Sequence, residues 1–109
     1  MHLIKANVPA WRLDEVKDGL LALGVARMRV AEISGYTEGC VAEVVWRGCR
    51  MLRHLLPECE LEAVVSDESV DDAVDLIIKT VRQSPRGDGF VCVTPVEKCY
   101  RIRSGYPQF

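Results

Sequence analysis

Two short motifs in the last quarter of the chain have residue types suited to binding an anion. The first is the loop Pro85-Arg86-Gly87-Asp88-Gly89, and the second is the tripeptide Arg101-Ile102-Arg103. A Gly-x-Gly loop can turn successive backbone N–H groups toward a phosphate, because glycine adopts the required dihedral angles and allows close approach. Alternate residues of an extended segment share a face, so we expect the two arginines to offer their forked donors together. The motifs predict a site for a phosphorylated small molecule.

The composition is that of one folded domain rather than of a nucleic-acid-binding protein. The chain has 109 residues, 49% of them hydrophobic, with 14 basic residues against 16 acidic ones. This balance gives no basic footprint, so we expect no nucleic acid as a partner. No apolar run approaches the roughly 18 residues that span a bilayer, and residues 1–6 lack the features of a signal peptide. We therefore expect a cytoplasmic protein that reaches a membrane only through a partner.

The cysteines do not indicate a disulfide framework, because their number is odd and no Cys-x-x-Cys spacing occurs. They are Cys40, Cys49, Cys59, Cys92 and Cys99. Cys92 lies in an apolar run and is predicted to be a small buried hydrophobe. Cys40 and Cys49 fall in a predicted loop, where a redox or metal role stays open. Their spacing is wider than that of most zinc ligand pairs, and we predict no metal site.

Hydrophobic periodicity predicts two β-α-β units. The predicted strands cover residues 3–8, 27–33, 61–65 and 90–96, and a short strand-like tail covers 100–103. In the second of these strands, Met28 and Val30 share one face and Arg29 lies on the other. One helix is predicted over 12–23, ended by Gly24, and a second is capped by Ser66 or Asp67 and carries an apolar stripe over 70–81.

The connection from residue 37 to about 56 shows no single period. Apolar and basic residues are mixed there, and a loop near 20 residues is long for a compact domain and usually functional. A short helix over 49–56, before Pro57, is the alternative for its second part. Two β-α-β units joined in this way predict a ferredoxin-like α+β fold, βαββαβ, with an antiparallel four-stranded sheet and both helices on one face. The other face needs cover, which self-association would supply.

The chain resembles the PII signal-transduction family over nearly its whole length. The matching pieces, in order, are Leu13-Asp14-Glu15-Val16, Gly24-Val25, Met28-Arg29-Val30, Gly35-Tyr36, Trp46-Arg47-Gly48, Leu56-Pro57, Glu62-Ala63-Val64-Val65, Val74-Asp75-Leu76-Ile77-Ile78, Gly87-Asp88-Gly89 and Arg101-Ile102-Arg103-Ser104-Gly105. The resemblance implies a homotrimer of single domains, here residues 1–109, with adenine nucleotides in three clefts between subunits. It implies a T-loop at about 37–55, a B-loop at about 83–90 and a C-terminal segment at 98–109.

The resemblance also assigns site residues. Gly87 and Gly89 would offer amides to phosphates while Asp88 shapes the loop, and Arg101 and Arg103 would reach the same phosphates. Gly35 and the backbone of Val64 would border the nucleotide. The T-loop would dock onto a partner through Thr37, Glu38, Val41, Val44, Val45, Arg47 and Arg50. Taken alone, Gly87-Asp88-Gly89 fits a turn into the last strand better than a phosphate loop, and only the whole-chain resemblance favours the phosphate loop.

Several positions depart from the family pattern for Mg-ATP and 2-oxoglutarate. That pattern has arginine at 38, glutamine at 39 and lysines at 58 and 90, where this chain has Glu38, Gly39, Glu58 and Phe90. Glu58 would place a carboxylate against that of the keto acid, and like charges repel. We therefore expect ADP or AMP to be favoured over Mg-ATP with 2-oxoglutarate, ATP remaining a ligand, and no further cofactor. Met51 replaces the tyrosine that some members modify, and Arg29 replaces a small hydroxyl residue near the adenine.

These departures resemble PII-like branches outside nitrogen control. The preferred expectation is a regulator of a bicarbonate transporter that responds to adenylates together with bicarbonate. A regulator linked to metal efflux, for which the cysteines and His54 are faint support, or to nitrogen metabolism is the alternative. An acylphosphatase-like enzyme is disfavoured, because residues 9–12 contain no glycine and the chain has a single asparagine, Asn7. A structural trimer with a vestigial site is the third class.

Overall fold

The computed structural model describes residues 1–36, 42–53, 55–83 and 89–107, and these form six strands and two α-helices. The strands are β1 (His2–Val8), β2 (Met28–Gly35), β3 (Ala42–Trp46), β4 (Cys49–Arg53), β5 (Leu56–Val65) and β6 (Val91–Pro95). The helices are α1 (Leu13–Ala22) and α2 (Val70–Arg82), and a 3₁₀ turn at Ala10–Arg12 precedes α1. The two predicted β-α-β units are confirmed, and β3 and β4 lie between them.

Four of the strands form one antiparallel sheet in the order β2-β5-β1-β6. The central strands β1 and β5 pair over their full overlap, from His2 opposite Val65 to Val8 opposite Cys59. The edge strand β2 pairs with β5, and β6 pairs with β1. This is the ferredoxin-like arrangement expected from the sequence. Met28 and Val30 lie opposite Ala63 and Leu61, which confirms their predicted face.

The core lies between one face of this sheet and the two helices. Its buried members are Ile4, Ala6, Val8, Val16, Leu20, Val25, Leu61, Ala63, Val65, Ala73, Ile77 and Val81. Val16 and Leu20 are one helical turn apart, as are Ala73 and Ile77, so each helix presents one apolar stripe to the strands. Gly24, at φ +87°, ends α1 with hydrogen bonds from Gly24 N to Leu21 O and from Val25 N to Leu20 O. Those paired bonds form a Schellman motif.

The opposite face of the sheet carries charged side chains instead of a third layer. Lys5 lies opposite Glu62, and Arg29 lies opposite Glu62 from the other neighbouring strand. Because successive strand residues alternate between faces, these side chains point away from the helices. No described element of the chain covers this face, so it stays available for the self-association that the sequence predicts.

Four sequence-based expectations about local structure are wrong. Residues 49–53 are strand β4 rather than helix. The second helix begins at Val70 with Ser69 as its N-cap residue, and no side chain caps it. Cys92 is exposed rather than buried, because β6 is an edge strand and Cys92 lies on the face away from the helices. Residues 101–104 form a turn rather than an extended tail, closed by Gly105 N donating to Arg101 O at 2.8 Å.

In the described part of the chain, neither helix combines the length and apolar character needed to cross a membrane.

Candidate functional site

Part of the predicted site lies outside the described residues. This applies to Gly87 and Asp88 of the Gly-x-Gly loop and to Thr37, Glu38 and Val41 of the docking segment, as well as to Cys40 and His54. The remaining predicted residues are placed by the structure in three regions. These regions are a row at one end of the sheet, a pocket at the other end, and the β3–β4 hairpin.

The first region is a row of four residues that crosses the sheet at the end where β1 and β2 finish. Gly35 ends β2, Glu58 lies near the start of β5, Asn7 is near the end of β1, and Gly89 precedes β6. We call Gly35, Glu58, Asn7 and Gly89 the glycine row. Each belongs to a different strand or its approach, in the order in which the strands pair. The sheet therefore brings Gly35 and Gly89 to the same end, although 53 residues of sequence separate them.

Side-chain contacts hold the middle of the glycine row. Asn7 Nδ2 donates a hydrogen bond to Glu58 Oε2 at 2.7 Å. The Glu58 carboxylate lies over the backbone of Gly35, where a Cβ atom would collide with it, and a Cβ on Gly89 would lie 2.9 Å from Asn7 Cβ. At both positions glycine is favoured by the close approach of a neighbouring side chain, since neither has a positive φ. Glu58, which the sequence marked as a departure, occupies the centre of this end.

A cavity of about 230 Å³ adjoins the glycine row between α2 and the start of β6. Its lining is mainly apolar, with Asn7 and Arg82 as polar members; the residues are Asn7, Ile77, Ile78, Val81, Arg82, Gly89, Phe90 and Val91. Phe90 is 75% exposed, and its carbonyl accepts a hydrogen bond from Asn7 N at 3.1 Å. This chain therefore has an exposed aromatic ring at position 90, where the family pattern has a lysine.

The second region is a pocket of about 1490 Å³ at the opposite end of the sheet. It lies between the segment that enters β2, the end of β5 and the turn after β6, and we call it the arginine pocket. Val64, Arg101 and Arg103, three of the predicted site residues, line it. The two arginines reach it from a turn instead of from alternate positions of a strand. Their predicted proximity is right, and the predicted reason for it is wrong.

The arginine pocket is strongly cationic in a chain whose formal net charge is −2. Its charged lining comprises Lys17, Arg27, Arg29, Arg101 and Arg103 against the single carboxylate of Glu62. Glu62 is shared, since its Oε1 lies 3.2 Å from Lys5 Nζ and its Oε2 lies 3.9 Å from Arg29 Nη2. One carboxylate therefore faces two cations, and the pocket keeps an excess of positive charge.

A second carboxylate at this end, that of Asp67, is engaged elsewhere. The amino group of Met1 donates a hydrogen bond to Asp67 Oδ1 at 2.6 Å. That hydrogen bond, aided by the charges of the amino group and of His2, holds the pKa of Asp67 below its usual value of 3.8 against the opposing effect of desolvation. Asp67 stays ionised and paired with the start of the chain.

Gly35 of the glycine row and Val64 of the arginine pocket are too far apart to contact one mononucleotide within a single chain. Gly35 pairs with Leu56, and Val64 lies eight residues further along β5. At the rise of a strand residue, this separation is about 26 Å. The residues expected to share one nucleotide therefore lie at opposite ends of the same sheet. A common site needs the row of one copy and the pocket of another.

The third region is the β3–β4 hairpin, which contains the described part of the docking segment. Its strands pair from Ala42 opposite Arg53 to Trp46 opposite Cys49. Arg47 and Gly48 form the turn with φ of +50° and +79°, the signs that a type I′ turn requires. The Arg47 guanidinium carbon lies 5.7 Å from the centroid of the Trp46 ring, a cation–π contact.

Large apolar side chains of this hairpin are exposed. Val45, Trp46 and Leu52 are 69%, 63% and 67% accessible, and Met51 is 50% accessible. Arg50 Nε lies 3.3 Å from Glu43 Oε1 across the strands. Exposed apolar groups beside basic ones are typical of a surface that binds another macromolecule. Of the predicted docking residues, Val44, Val45, Arg47 and Arg50 lie in this hairpin.

Sequence reasoning missed several residues of these regions. Asn7 was considered only as the single asparagine available to an acylphosphatase-like enzyme. Its contact with Glu58 follows from the pairing of β1 with β5. Lys17 and Arg27 were not singled out, because only the fold brings α1 and the entry to β2 beside the last turn. Trp46, Met51 and Leu52 were visible as apolar residues in a polar segment, which is the signal that indicates an exposed docking strand.

Comparison with known proteins shows the family of the chain. The profile of the nitrogen regulatory protein P-II family matches residues 1–106. The chain is 35% identical to nitrogen regulatory protein P-II of Cereibacter sphaeroides over 105 residues, which cover 96% of this chain and 94% of that one. It is 34% identical, with the same coverage, to the P-II protein of Haemophilus influenzae and to P-II 1 of Escherichia coli K12. Proteins of this family are homotrimeric signalling regulators rather than enzymes. The chain belongs to the nitrogen regulatory protein P-II family.

Proposed function

We propose that this protein is a non-enzymatic regulator that binds an adenine nucleotide between two of its copies. The glycine row of one copy, together with the loop that precedes Gly89, would meet the arginine pocket of the next. The observation that carries this proposal is the separation of about 26 Å along β5 between Gly35 and Val64, which were both predicted to border the nucleotide. A head-to-tail cyclic trimer brings opposite ends of neighbouring copies together three times, which would give three equivalent clefts.

The charges favour ADP or AMP over Mg-ATP with 2-oxoglutarate. Arg101 and Arg103 supply forked donors for phosphate oxygens. At the other end of the sheet, the Glu58 carboxylate is positioned by Asn7, and Phe90 contributes no charge. A keto acid that entered beside Glu58 would meet a like charge. ATP remains a weaker ligand, because one phosphate more would lack the lysine that the family pattern provides.

The β3–β4 hairpin would carry the output. Its exposed apolar side chains and its basic residues form a surface that a single chain leaves uncovered. Docking would bury Trp46 and Val45 and would pair Arg47 and Arg50 with acidic groups of the partner, because aromatic and arginine side chains contribute most at interfaces. Gly35, beside which the nucleotide would bind, lies shortly before the hairpin in the sequence. A bound nucleotide would therefore be able to change the position of the hairpin.

Two classes of partner system are supported by different observations. The departures at Glu58 and Phe90 favour a branch outside nitrogen control, and we propose a bicarbonate transporter as the target. The names of the relatives, nitrogen regulatory protein P-II, favour control of nitrogen metabolism instead. A link to metal efflux is the weaker alternative, with Cys49 as an exposed thiol in the hairpin.

A thermal-shift panel tests the proposal. AMP, ADP, ATP and cyclic AMP would each be added with and without bicarbonate, and with and without Mg²⁺ and 2-oxoglutarate. A ligand at 100 times its Kd contributes about 2.7 kcal/mol to stability, so ADP or AMP should raise the Tm clearly. Nucleotide affinity that changes with bicarbonate supports the carbon branch. Tight Mg²⁺-dependent binding of 2-oxoglutarate with ATP would favour nitrogen control, and a flat response to every adenylate would leave only a structural trimer.

A further inference from the structure

The arginine pocket holds more cationic groups than one phosphate chain needs. Arg101 and Arg103 line it from the turn after β6, whereas Arg27 lines it from just before β2 and Arg29 from the start of β2. The pocket therefore has an arginine pair on each of two chain segments. In the proposed function, Arg101 and Arg103 supply forked donors to the phosphates of the nucleotide. Arg27 and Arg29 have no part in that proposal.

Ion pairing within the chain does not account for the second pair. In residues 1–36, 42–53, 55–83 and 89–107, Arg27 has no carboxylate within 4.0 Å, and the same holds for Arg101 and Arg103. Arg29 has only the 3.9 Å contact with Glu62, which Lys5 approaches more closely at 3.2 Å. The Arg29 side chain is 87% exposed, so it can turn toward a ligand. Asp67 is held by Met1 and does not neutralise them.

Unpaired arginines that line a cavity are suited to an anionic ligand, because guanidinium groups bind phosphate oxygens through two parallel hydrogen bonds. The pocket is an open cleft of about 1490 Å³, so its walls do not restrict the ligand to a mononucleotide. Its apolar lining includes Met28 and Val64, which are half-buried and could contact a base. Cationic groups on two chain segments around an open cleft therefore fit a ligand with more than one anionic group.

We propose that the arginine pocket binds a nucleotide with two separate phosphate groups, one held by Arg101 and Arg103 and the other by Arg27 and Arg29. This inference rests on the proposed function and names the ligand class of the same site. The second group would be attached on the far side of the nucleoside from the first, as in a nucleoside bisphosphate or a dinucleotide. Arg29, for which the sequence offered no role, becomes a specificity-determining residue.

Titration calorimetry of the assembled protein with AMP and with adenosine 3′,5′-bisphosphate tests this assignment. One added charge-assisted contact is expected to make the bisphosphate bind at least about tenfold more tightly than AMP. The double variant Arg27→Ala/Arg29→Ala should bring the affinity ratio of the two ligands close to one. Arg101→Ala should weaken binding of both ligands, and Lys79→Ala on the exposed side of α2 is the matched loss of charge that should leave the ratio unchanged.

Equal affinity of the wild-type protein for AMP and the bisphosphate would overturn the inference and leave the proposed function intact. A ratio that persists in Arg27→Ala/Arg29→Ala would overturn the assignment of the second phosphate to these arginines. Failure of the wild-type protein to bind AMP, ADP or ATP would instead remove the proposed function itself. Both arginines are exposed, and circular dichroism of the double variant should match that of the wild type.

Discussion

The two ends of the sheet differ in how they could bind the same nucleotide. The glycine row offers close backbone approach and one carboxylate, the exposed Phe90 ring lies next to it, and none of its four residues is a cation. The arginine pocket is lined by five cations and one carboxylate. Among the described residues of the two regions, positive charge is therefore concentrated at one end of the sheet. If both ends bind one nucleotide, as proposed, the ligand preference can be changed at Glu58 and Phe90 without altering the arginines.

The largest effect is expected from removing the cations of the arginine pocket. Arg101→Ala/Arg103→Ala deletes two charge-assisted contacts of roughly 1.5–3 kcal/mol each, so ADP affinity should fall at least about 100-fold. Calorimetric titration with ADP measures the loss, and Lys79→Ala is the control. Because both arginines are exposed, the Tm without ligand should stay within the small range of surface substitutions. Retained ADP affinity would show that the pocket is not the phosphate site.

Gly89→Ala should weaken ADP binding at the glycine row through a steric clash rather than through the loss of a charge. The new Cβ would lie 2.9 Å from Asn7 Cβ, and overpacking of this kind costs about 1–3 kcal/mol of unfolding free energy. Urea denaturation measures the loss. Gly19→Ala is the matched control, because its Cβ would meet the methyl groups of Leu76 between the helices. Gly19→Ala should leave ADP affinity unchanged, because Gly19 lies inside α1, whereas Gly89→Ala should lower both stability and ADP affinity. Unchanged stability of Gly89→Ala would contradict the described contact.

Gly35→Ala tests the contact with Glu58. The added Cβ forces the flexible Glu58 carboxylate away from Asn7, so the expected loss is that of one hydrogen bond, about 1 kcal/mol of unfolding free energy. A double-mutant cycle with Glu58→Ala isolates the interaction, since Gly35→Ala should be nearly neutral once the carboxylate is gone. Equal costs in both backgrounds would mean that Glu58 does not occupy this position.

The smallest effect on the isolated protein is expected in the hairpin. Trp46 is 63% exposed, so Trp46→Ala should change the unfolding free energy by no more than about 0.5 kcal/mol and leave ADP affinity unchanged. Thermal melts and ADP titration check this. The same variant should lose binding to the partner, which distinguishes a docking residue from a packing residue. A large loss of stability would indicate that Trp46 packs within the assembly.

Sequence reasoning recovered the elements whose pattern reflects burial. Val16 and Leu20 are buried in the core and Met28 packs against it, so the spacing of apolar residues was sufficient to predict α1 and β2. Sequence reasoning failed in segments whose side chains are exposed, because exposed residues show no hydrophobic periodicity. The hairpin is exposed on both faces, so Val44 and Val45 are consecutive apolar residues without alternation, and its Arg47-Gly48 turn lacks the usual Asn-Gly signal. Cys92 was misplaced because an apolar run does not distinguish a central strand from an edge strand.

The sequence was sufficient to propose the residues of the candidate site, but not their positions relative to one another. Gly35, Val64, Arg101 and Arg103 came from motifs and from the family resemblance. Their division between two ends follows from strand register, which pairs Gly35 with Leu56 and Leu3 with Val64. Register depends on every pairing in the sheet, and no local pattern reports it. The contact of Glu58 with Asn7 and the grouping of Arg27 with Arg101 are likewise products of the fold.

Subunit complementation most directly tests whether one ligand uses both ends from different copies. Arg101→Ala/Arg103→Ala and Gly89→Ala proteins would be titrated with ADP separately and after being unfolded, mixed in equal amounts and refolded together. Neither variant alone should bind ADP with wild-type affinity. In a randomly mixed cyclic trimer, about one quarter of the clefts join an intact glycine row to an intact arginine pocket. The account predicts wild-type affinity at about that fraction of sites, and a mixture without any restored sites would contradict it.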